Sequence, residues 1–295
     1  MNREGEGGRK GRAEALGVDL LRDRVALVTG GGSGLGLSMA TRFVELGARV
    51  AIAGRREDRL KDAVARVDPG GGSTYVHAAD VREPDSVEAM VEGVEQALGP
   101  IDIVVNNAAG NFLAATEDLS PRAFDAVVRT VLHGTFHVTL AVGRRMIERG
   151  TGGSMLNIAT TYAWTGSAFV VPSAAAKAGV LALTRSLAVE WATYGIRVNA
   201  IAPGPFPTEG AWKSLMPTPE VEEQARARIP VGRFGDHREL ANLAAFLVSD
   251  AAPFITGECV TIDGAEWLAS GGEFNHLTRA PREEVKAVMR KMRKG

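Results

Sequence analysis

Short apolar runs alternate with stretches of helical periodicity along most of this chain. Arg24–Thr29 is an apolar run that ends in glycines, and an amphipathic stretch follows from Gly34 to Gly47. Arg49–Ala53, Thr74–Ala79 and Ile101–Val105 repeat the run, with a charged helix predicted from Glu57. Val87, Met90, Val91, Val94 and Leu98 recur at helical spacing behind Pro84, a residue suited to a first helical turn. Pro121 opens a long predicted helix to about Glu148, Met155–Ala159 is a fifth strand, and Pro172 opens another helix. Arg197–Ile201, a helix over Arg238–Val248 and a last strand Glu258–Ile262 complete the series. Strands that are apolar throughout are buried on both faces, which is the pattern of a parallel sheet with helices on either side. The expectation is one α/β domain over residues 23–295, a doubly wound parallel sheet of about seven strands. Residues 203–235 carry six prolines and little strand pattern, so they predict an inserted lid. Residues 1–22, rich in Gly, Arg, Glu and Lys, predict a flexible tail.

Composition narrows the function classes. With 295 residues, 45% of them apolar, the chain can bury one sizeable core. Its formal net charge of −1, without a long single-sign run, speaks against a nucleic-acid partner. No run approaches the ~18 apolar residues of a membrane span. Residues 1–22 also lack the apolar centre of a signal peptide, so a soluble, cytoplasmic protein is expected. Cys259 is the sole cysteine, which excludes an intrachain disulfide and a cysteine-rich metal site. His133 and His137 stand at i, i+4 on an apolar helix without a carboxylate motif, so helix packing outweighs metal binding. No metal is expected.

The glycine-rich stretch carries the first chemistry. Thr29-Gly30-Gly31-Gly32-Ser33-Gly34-Leu35-Gly36 follows the first strand and opens the first helix. Glycines admit a pyrophosphate close to the backbone, and a helix N-terminus offers free N–H groups and a favourable dipole. The second strand ends in Ala53-Gly54-Arg55-Arg56, with no acidic residue to accept an adenosine 2′-hydroxyl. Arg55 and Arg56 suit a 2′-phosphate and therefore NADP(H); the competing reading is a solvated charge pair at a helix start. Asp80-Val81, after the third strand, is expected beside the adenine. Asn106 to Gly110 follow the fourth strand at the carboxyl edge of the sheet, where ligands bind in such folds.

Taken together, Thr29–Gly36, Asn106-Asn107-Ala108-Ala109-Gly110, the Lys177 helix and Pro203-Gly204 with Thr208 resemble the short-chain dehydrogenase/reductase family. The resemblance covers about residues 22–265 and implies a Rossmann-type fold. It also implies cofactor contacts from Gly30, Ser33, Gly34, Leu35, Gly36, Asn107, Pro203, Gly204, Phe206 and Thr208. One departure stands out: the family signature is Tyr-x-x-x-Lys, and here Ser173 holds the tyrosine position before Lys177. Val131 stands where the family has an active-site Asn, and Thr160 where it has a serine.

Those departures are similar to the NADPH-dependent 2,4-dienoyl-CoA reductase branch. Its match runs through Asn106–Phe112, Thr160-Thr-Tyr162-Ala, Gly166 and Phe169–Ser173, Pro203-Gly-Pro205, Glu239–Leu247 and Gly272–Asn275. It implies Tyr162 and Asn111 as catalytic hydrogen-bond donors, Lys177 on the nicotinamide ribose, and Arg55 and Asp80 on the cofactor. It further implies Arg55, Arg82, Phe112 and Ser120 at an acyl-CoA substrate, and a homotetramer. Lys213 and Ser214 do not reproduce the branch's basic CoA contact.

The chemistry favours a relocated tyrosine. A ketone gains negative charge on the oxygen bonded to the carbon that accepts the hydride. A conjugated dienoyl thioester gains it on an oxygen several bonds away, so donors must stand apart from the nicotinamide and aim at that oxygen. Ser173 and Lys177, at i, i+4, share one helix face. Competing readings remain: Tyr162 as a packed ring, Asn111 as a loop cap, and Trp164, Phe169, Phe206, Trp212, Leu215 and Met216 as lid packing rather than an acyl pocket. At the level of function the alternatives are a trans-2-enoyl-CoA or carbonyl reductase of the same fold, or an NADP-binding protein without catalysis.

Overall fold

The computed structural model describes residues 17–208, 212 and 218–293. Seven strands form one sheet: β1 (Val25–Thr29), β2 (Arg49–Gly54), β3 (Thr74–Ala78), β4 (Ile103–Asn106), β5 (Gly153–Ile158), β6 (Ile196–Pro203) and β7 (Cys259–Ile262). Their order is β3-β2-β1-β4-β5-β6-β7, and every neighbouring pair is parallel. The expected doubly wound sheet is therefore present. Order reverses between β1 and β4, which opens a crevice at their carboxyl ends.

Burial explains the apolar runs. Every residue of β1 and β4 is buried, because helices cover both faces. On one face, α1 (Gly34–Glu45) and α2 (Glu57–Val67) pack with a later helix, α9 (His237–Val248), over Val28, Val50 and Ile52. On the other, α3 (Pro84–Leu98) buries the five predicted positions Val87, Met90, Val91, Val94 and Leu98 beside α5 (Gly134–Arg149).

Two expectations change. The long helix predicted from Pro121 is α4 (Pro121–Val128) joined to α5 through a π-helical turn, Arg129–His133. That turn directs Val131 inward, where it packs with Val127, Ala176 and Val180 of α7 (Val171–Glu190). A π-turn inserts one residue into the helical register, and apolar spacing alone does not reveal it. Of the tail expected over residues 1–22, residues 1–16 lie outside the described residues, whereas Leu21 is 1% exposed and its N–H donates to the Leu46 carbonyl at 2.9 Å. A short Val18-Asp19-Leu20-Leu21 stretch is too brief to give a periodic signal, although Leu21 docks at the end of helix α1.

The centre of the sheet also holds polar atoms. Asn106 and Asn157 face each other across β4 and β5. The Asn106 amide donates to Thr139 Oγ1 and Asn157 Oδ1, both at 2.9 Å, and Asn157 Nδ2 donates to Thr184 Oγ1 at 2.9 Å. These four buried residues join both strands to α5 and α7 directly beneath the strand ends. Such a network fixes relative positions, since each member loses its partner if an element shifts.

Segment 203–235 carries helix α8 (Pro219–Ala227) among its described residues, and α10 (Glu266–Gly271) and α11 (Arg282–Met292) follow α9 and β7. Among the described residues no helix is long and apolar enough to cross a membrane, and no group of three or more His, Cys, Asp or Glu is placed to hold a metal. His137 instead meets the Val81 carbonyl at 3.0 Å.

Leu21→Ala tests the domain boundary. It should lower unfolding free energy by about 2–4 kcal/mol, the usual cost of a leucine-sized core deletion. Urea denaturation followed by circular dichroism would measure it. An unchanged midpoint would mean that residues 17–22 contribute nothing to the fold.

Candidate active site

The crevice between β1 and β4 is built by close backbone approach. Gly30 and Gly34 have φ of +66° and +54°, in the left-handed region that favours glycine. A side chain at Gly36 would meet the Gly30 carbonyl at 2.4 Å and Asn107 Nδ2 at 2.5 Å. Asn107 Nδ2 donates to the carbonyls of Thr29 and Gly30 at 3.0 and 3.3 Å. Thr29 Oγ1 in turn accepts from the N–H groups of Asn107 and Ala108, both at 3.1 Å. Ser33 precedes α1 without a side-chain capping bond, so the first N–H groups of that helix stay open towards the crevice.

Beside this turn lies a groove of about 150 Å³ lined by Gly32, Ser33, Arg55, Arg56, Asp80 and Val81. Arg59, which the sequence did not single out, lines the same groove. It stands in the first turn of α2, three residues beyond the N-cap Arg56, and its place in that charged helix start was the available signal. Asp80 is engaged by Arg82, whose guanidinium donates to both carboxylate oxygens at 2.5–3.0 Å. Those bonds, with a further contribution from Arg55, hold the Asp80 carboxyl below its ordinary value. Arg82 is therefore turned onto Asp80. Arg55, Arg56 and Arg59 line the groove together. The crowded turn, open helix terminus and guanidinium row fit a dinucleotide carrying a 2′-phosphate.

The other half of the site follows β5. Thr160 Oγ1 accepts from the Tyr162 N–H at 3.2 Å as the chain enters the single turn α6 (Tyr162–Thr165). Tyr162 is half-buried, and its hydroxyl lies 3.1 Å from Ser173 Oγ. Ser173 is buried one helical turn before Lys177 on α7, with Pro172 in the first turn of that helix. Lys177 Nζ donates to the Ile158 carbonyl at the end of β5. Burial pushes the Lys177 ammonium down to about 8, because a charge is poorly solvated there. Thr160, Tyr162, Ser173 and Lys177 thus converge, although the sequence separates them by up to seventeen positions.

The third wall is the loop after β4. Asn111 and Phe112 are exposed there, and the loop is tied across the site by Ala114 N–H donating to the Phe169 carbonyl at 3.0 Å. Phe169 itself has φ +64°, a strained setting for a bulky residue. Of the aromatic residues weighed for an acyl pocket, Trp164 and Phe169 remain exposed, as does Phe112. Trp164 meets Trp267 of α10 edge-on at 5.5 Å, a partner that only the fold brings near. Phe206 is buried against Gly235, and Trp212 stacks edge-on with Phe234 at 4.7 Å. Lys213, Ser214, Leu215 and Met216 lie outside the described residues. Ser120 accepts from Ala123 N–H at 3.2 Å as the N-cap of α4. Pro203 ends β6 beside Ile262, Gly204 packs on Asp263, Leu35 is half-buried in the first turn of α1, and Thr208 stands over Gly34.

Known proteins are similar to this chain in sequence and fold. Residues 30–264 match the family model described as Enoyl-(Acyl carrier protein) reductase. A Bacillus subtilis protein named "Probable 2,4-dienoyl-CoA reductase [(2E)-enoyl-CoA-producing]" is 43% identical over 84% of this chain and 98% of its own. A Caenorhabditis elegans protein named "Probable 2,4-dienoyl-CoA reductase 3 [(3E)-enoyl-CoA-producing]" is 44% identical over 87% and 82%. The crystal structure of a Burkholderia cenocepacia gluconate 5-dehydrogenase in complex with NADP and tartrate superposes with a TM-score of 0.79. It is 35% identical and covers 85% of this chain and 98% of its own. With the glycine-rich crevice, the Lys177 helix and these likenesses in place, the chain belongs to the short-chain dehydrogenase/reductase family.

Proposed function

We propose that this protein is an NADPH-dependent reductase of 2,4-dienoyl-CoA, acting on unsaturated fatty acyl thioesters and yielding 3-enoyl-CoA. One observation carries the reading. The Tyr162 hydroxyl is 3.1 Å from Ser173 Oγ, so the phenol approaches the position vacated in Tyr-x-x-x-Lys from a different element. The relatives named for dienoyl-CoA reduction and the solved relative with NADP support the substrate class and the cofactor.

When bound, NADPH supplies a hydride to the diene. In this reading Gly30, Ser33, Gly34 and Gly36 cradle its pyrophosphate, Arg55, Arg56 and Arg59 hold the 2′-phosphate, and Asp80 and Val81 flank the adenine. Lys177 and Asn107 serve the nicotinamide side. Negative charge then develops on the thioester oxygen, and Tyr162 with Asn111 donates hydrogen bonds to it. Ser173 Oγ fixes the direction of the Tyr162 hydroxyl, and Lys177, one turn along, favours a polarised phenol. One proton adds to the α-carbon, which balances the reduction and moves the remaining double bond. Phe112, Trp164 and Phe169 offer the apolar opening for the acyl chain, with Arg82 and Ser120 on the CoA side.

A cytoplasmic homotetramer completes the reading. The outer positions of helix α7 include Ala175, Ala178, Ala182 and Val189, exposed in the single chain beside Arg185, Ser186 and Glu190. These apolar positions call for a covering partner, and a second copy is the proposed one. The lone cysteine, free of any disulfide, suits a reducing compartment.

Oxidation of NADPH, followed with 2,4-dienoyl-CoA, 2-enoyl-CoA and a ketone panel, tests the activity. Dienoyl-CoA should be the preferred substrate, and analysis of the product should place the double bond at carbon 3. Turnover of ketones alone would overturn the assignment. Tyr162→Phe keeps the ring and removes the donor, and should lower kcat by roughly 10²–10³ with NADPH affinity unchanged. Ser173→Ala should be milder; the reverse ranking would refute a donor at Tyr162.

Cofactor choice follows from the guanidinium row. NADPH should bind at least about tenfold more tightly than NADH, and Arg55→Ala should erase most of that difference. Fluorescence titration with both nucleotides decides it, equal dissociation constants counting against the assignment.

The pH profile has a definite sign. Lys177 is charged below about 8 and neutral above it, so kcat/KM should fall as pH rises through that value. In Lys177→Met the residual rate should lose this limb. A profile flat to pH 9.5 in the parent protein would show that the ammonium form is not required.

A further inference from the structure

His237 is the one histidine whose two ring nitrogens bridge separate parts of the cofactor crevice. It occupies the first position of α9. That helix start is rigid for reasons independent of His237. The Asp236 carboxylate accepts from the Arg238 N–H at 2.7 Å, and Glu239 accepts from the Asp236 N–H at 2.9 Å. Arg233 grips Glu239 with two bonds, at 2.8 and 2.6 Å. Along its length α9 lies on α1, where Leu240, Ala241 and Ala244 are buried and Arg42 Nε donates to Asn242 Oδ1 at 2.8 Å.

From this scaffold His237 Nε2 lies 2.6 Å from the Pro207 carbonyl, and Nδ1 lies 2.7 Å from Ser38 Oγ. A carbonyl only accepts, so Nε2 carries the hydrogen. Ser38 Oγ, on the first turns of α1, lies 3.1 Å from the Gly34 carbonyl as well, so its single hydrogen serves either that carbonyl or Nδ1. The imidazole thus spans from the helix that ends the glycine-rich turn to the backbone leaving β6. Thr208, the next residue, stands over Gly34, its Cγ2 at 3.3 Å from where a Gly34 side chain would begin. Pro207 is exposed, and burial gives it no anchor of its own. Ser33, Gly34, Ser38, Arg59, Thr208 and His237 line one groove of about 390 Å³ on this side of the turn, with Asp62 and Arg66 as its other charged members.

We infer that His237 is a positioning residue for the cofactor: its Nε2–H holds Pro207 and Thr208 against the glycine-rich turn, which keeps the phosphate side of the crevice formed. This rests on the dinucleotide reading of that crevice. The bond to Pro207 carries the effect, and the contact with Ser38 orients the ring.

Side-chain length separates the two bonds. Gln at position 237 places an amide N–H near the location of Nε2, whereas Asn reaches only as far as Nδ1. Fluorescence titration of the full chain with NADPH, steady-state kinetics and thermal melts of His237→Ala, His237→Gln and His237→Asn form the test. His237→Ala should raise the NADPH Kd about tenfold, the loss of one well-placed hydrogen bond. Its kcat at saturating NADPH should stay within about twofold and its Tm within a few degrees, because the capping box and the α1–α9 core are untouched. His237→Gln should recover most of the affinity, and His237→Asn should not. Equal recovery by both amides, or an unchanged Kd in His237→Ala, would overturn the inference. Arg55→Ala separates the two levels. If it weakens NADPH binding while His237→Ala does not, only the role of His237 falls; if the parent protein binds no NADPH, the dinucleotide reading falls and this inference with it.

Discussion

The contact between the glycine-rich turn after β1 and the loop after β4 is the constraint on which the rest of the site depends. Gly36 passes so near the Gly30 carbonyl that a single methyl group would collide with it, and Asn107 ties both layers together through its amide. Each of these hydrogen bonds contributes on the order of 1 kcal/mol net. Their larger effect is geometric, because they set the width of the crevice at the point where strand order reverses. With that width fixed, the open end of α1 and the Arg55–Arg59 row face the same space. The adjoining β4–β5 pair then delivers the second half of the site through Asn106 and Asn157.

Electrostatics are arranged in compensating pairs around that crevice. Asp80 would oppose a bound phosphate were its carboxylate free, and Arg82 occupies both of its oxygens. Lys177 is buried with the Ile158 carbonyl as partner, and burial rather than a neighbouring charge brings its ionisation down to about 8. The ammonium is therefore poised within reach of ordinary pH, next to a hydroxyl pair rather than a carboxylate. Charge on this lysine is cheap to change, which suits a group that tunes a phenol.

The replacement of polar by apolar contacts has a local logic. Val131, where the family has an active-site Asn, is drawn inward by the π-turn and packs on Ala176 and Val180. Ala176 and Val180 adjoin Ser173 and Lys177 along α7, so this apolar contact lies beside them. In the proposed reading the polar work moves to the ends of β4 and β5, where Asn111 stands on a loop and Tyr162 opens the single turn α6. Loops at the carboxyl edge of a rigid sheet can carry such a change without disturbing the core.

Much of this protein was legible from its sequence. Apolar runs buried on both faces named the parallel sheet, and five helical positions of α3 predicted their own burial. The glycine pattern, the absence of an acid after β2, and serine in place of tyrosine before Lys177 are local features, so residue types alone display them and suggest where the two halves of the candidate site lie. What the tertiary structure decided are relations between distant residues of weak local signal. The approach of Tyr162 to Ser173, the Asp80–Arg82 pairing, the Trp164–Trp267 edge contact and the His237 bridge depend on how elements pack. The π-turn and the docking of Leu21 belong to the same class. Sequence periodicity reports which face of an element is buried, whereas the identity of the partner is set only when both surfaces meet.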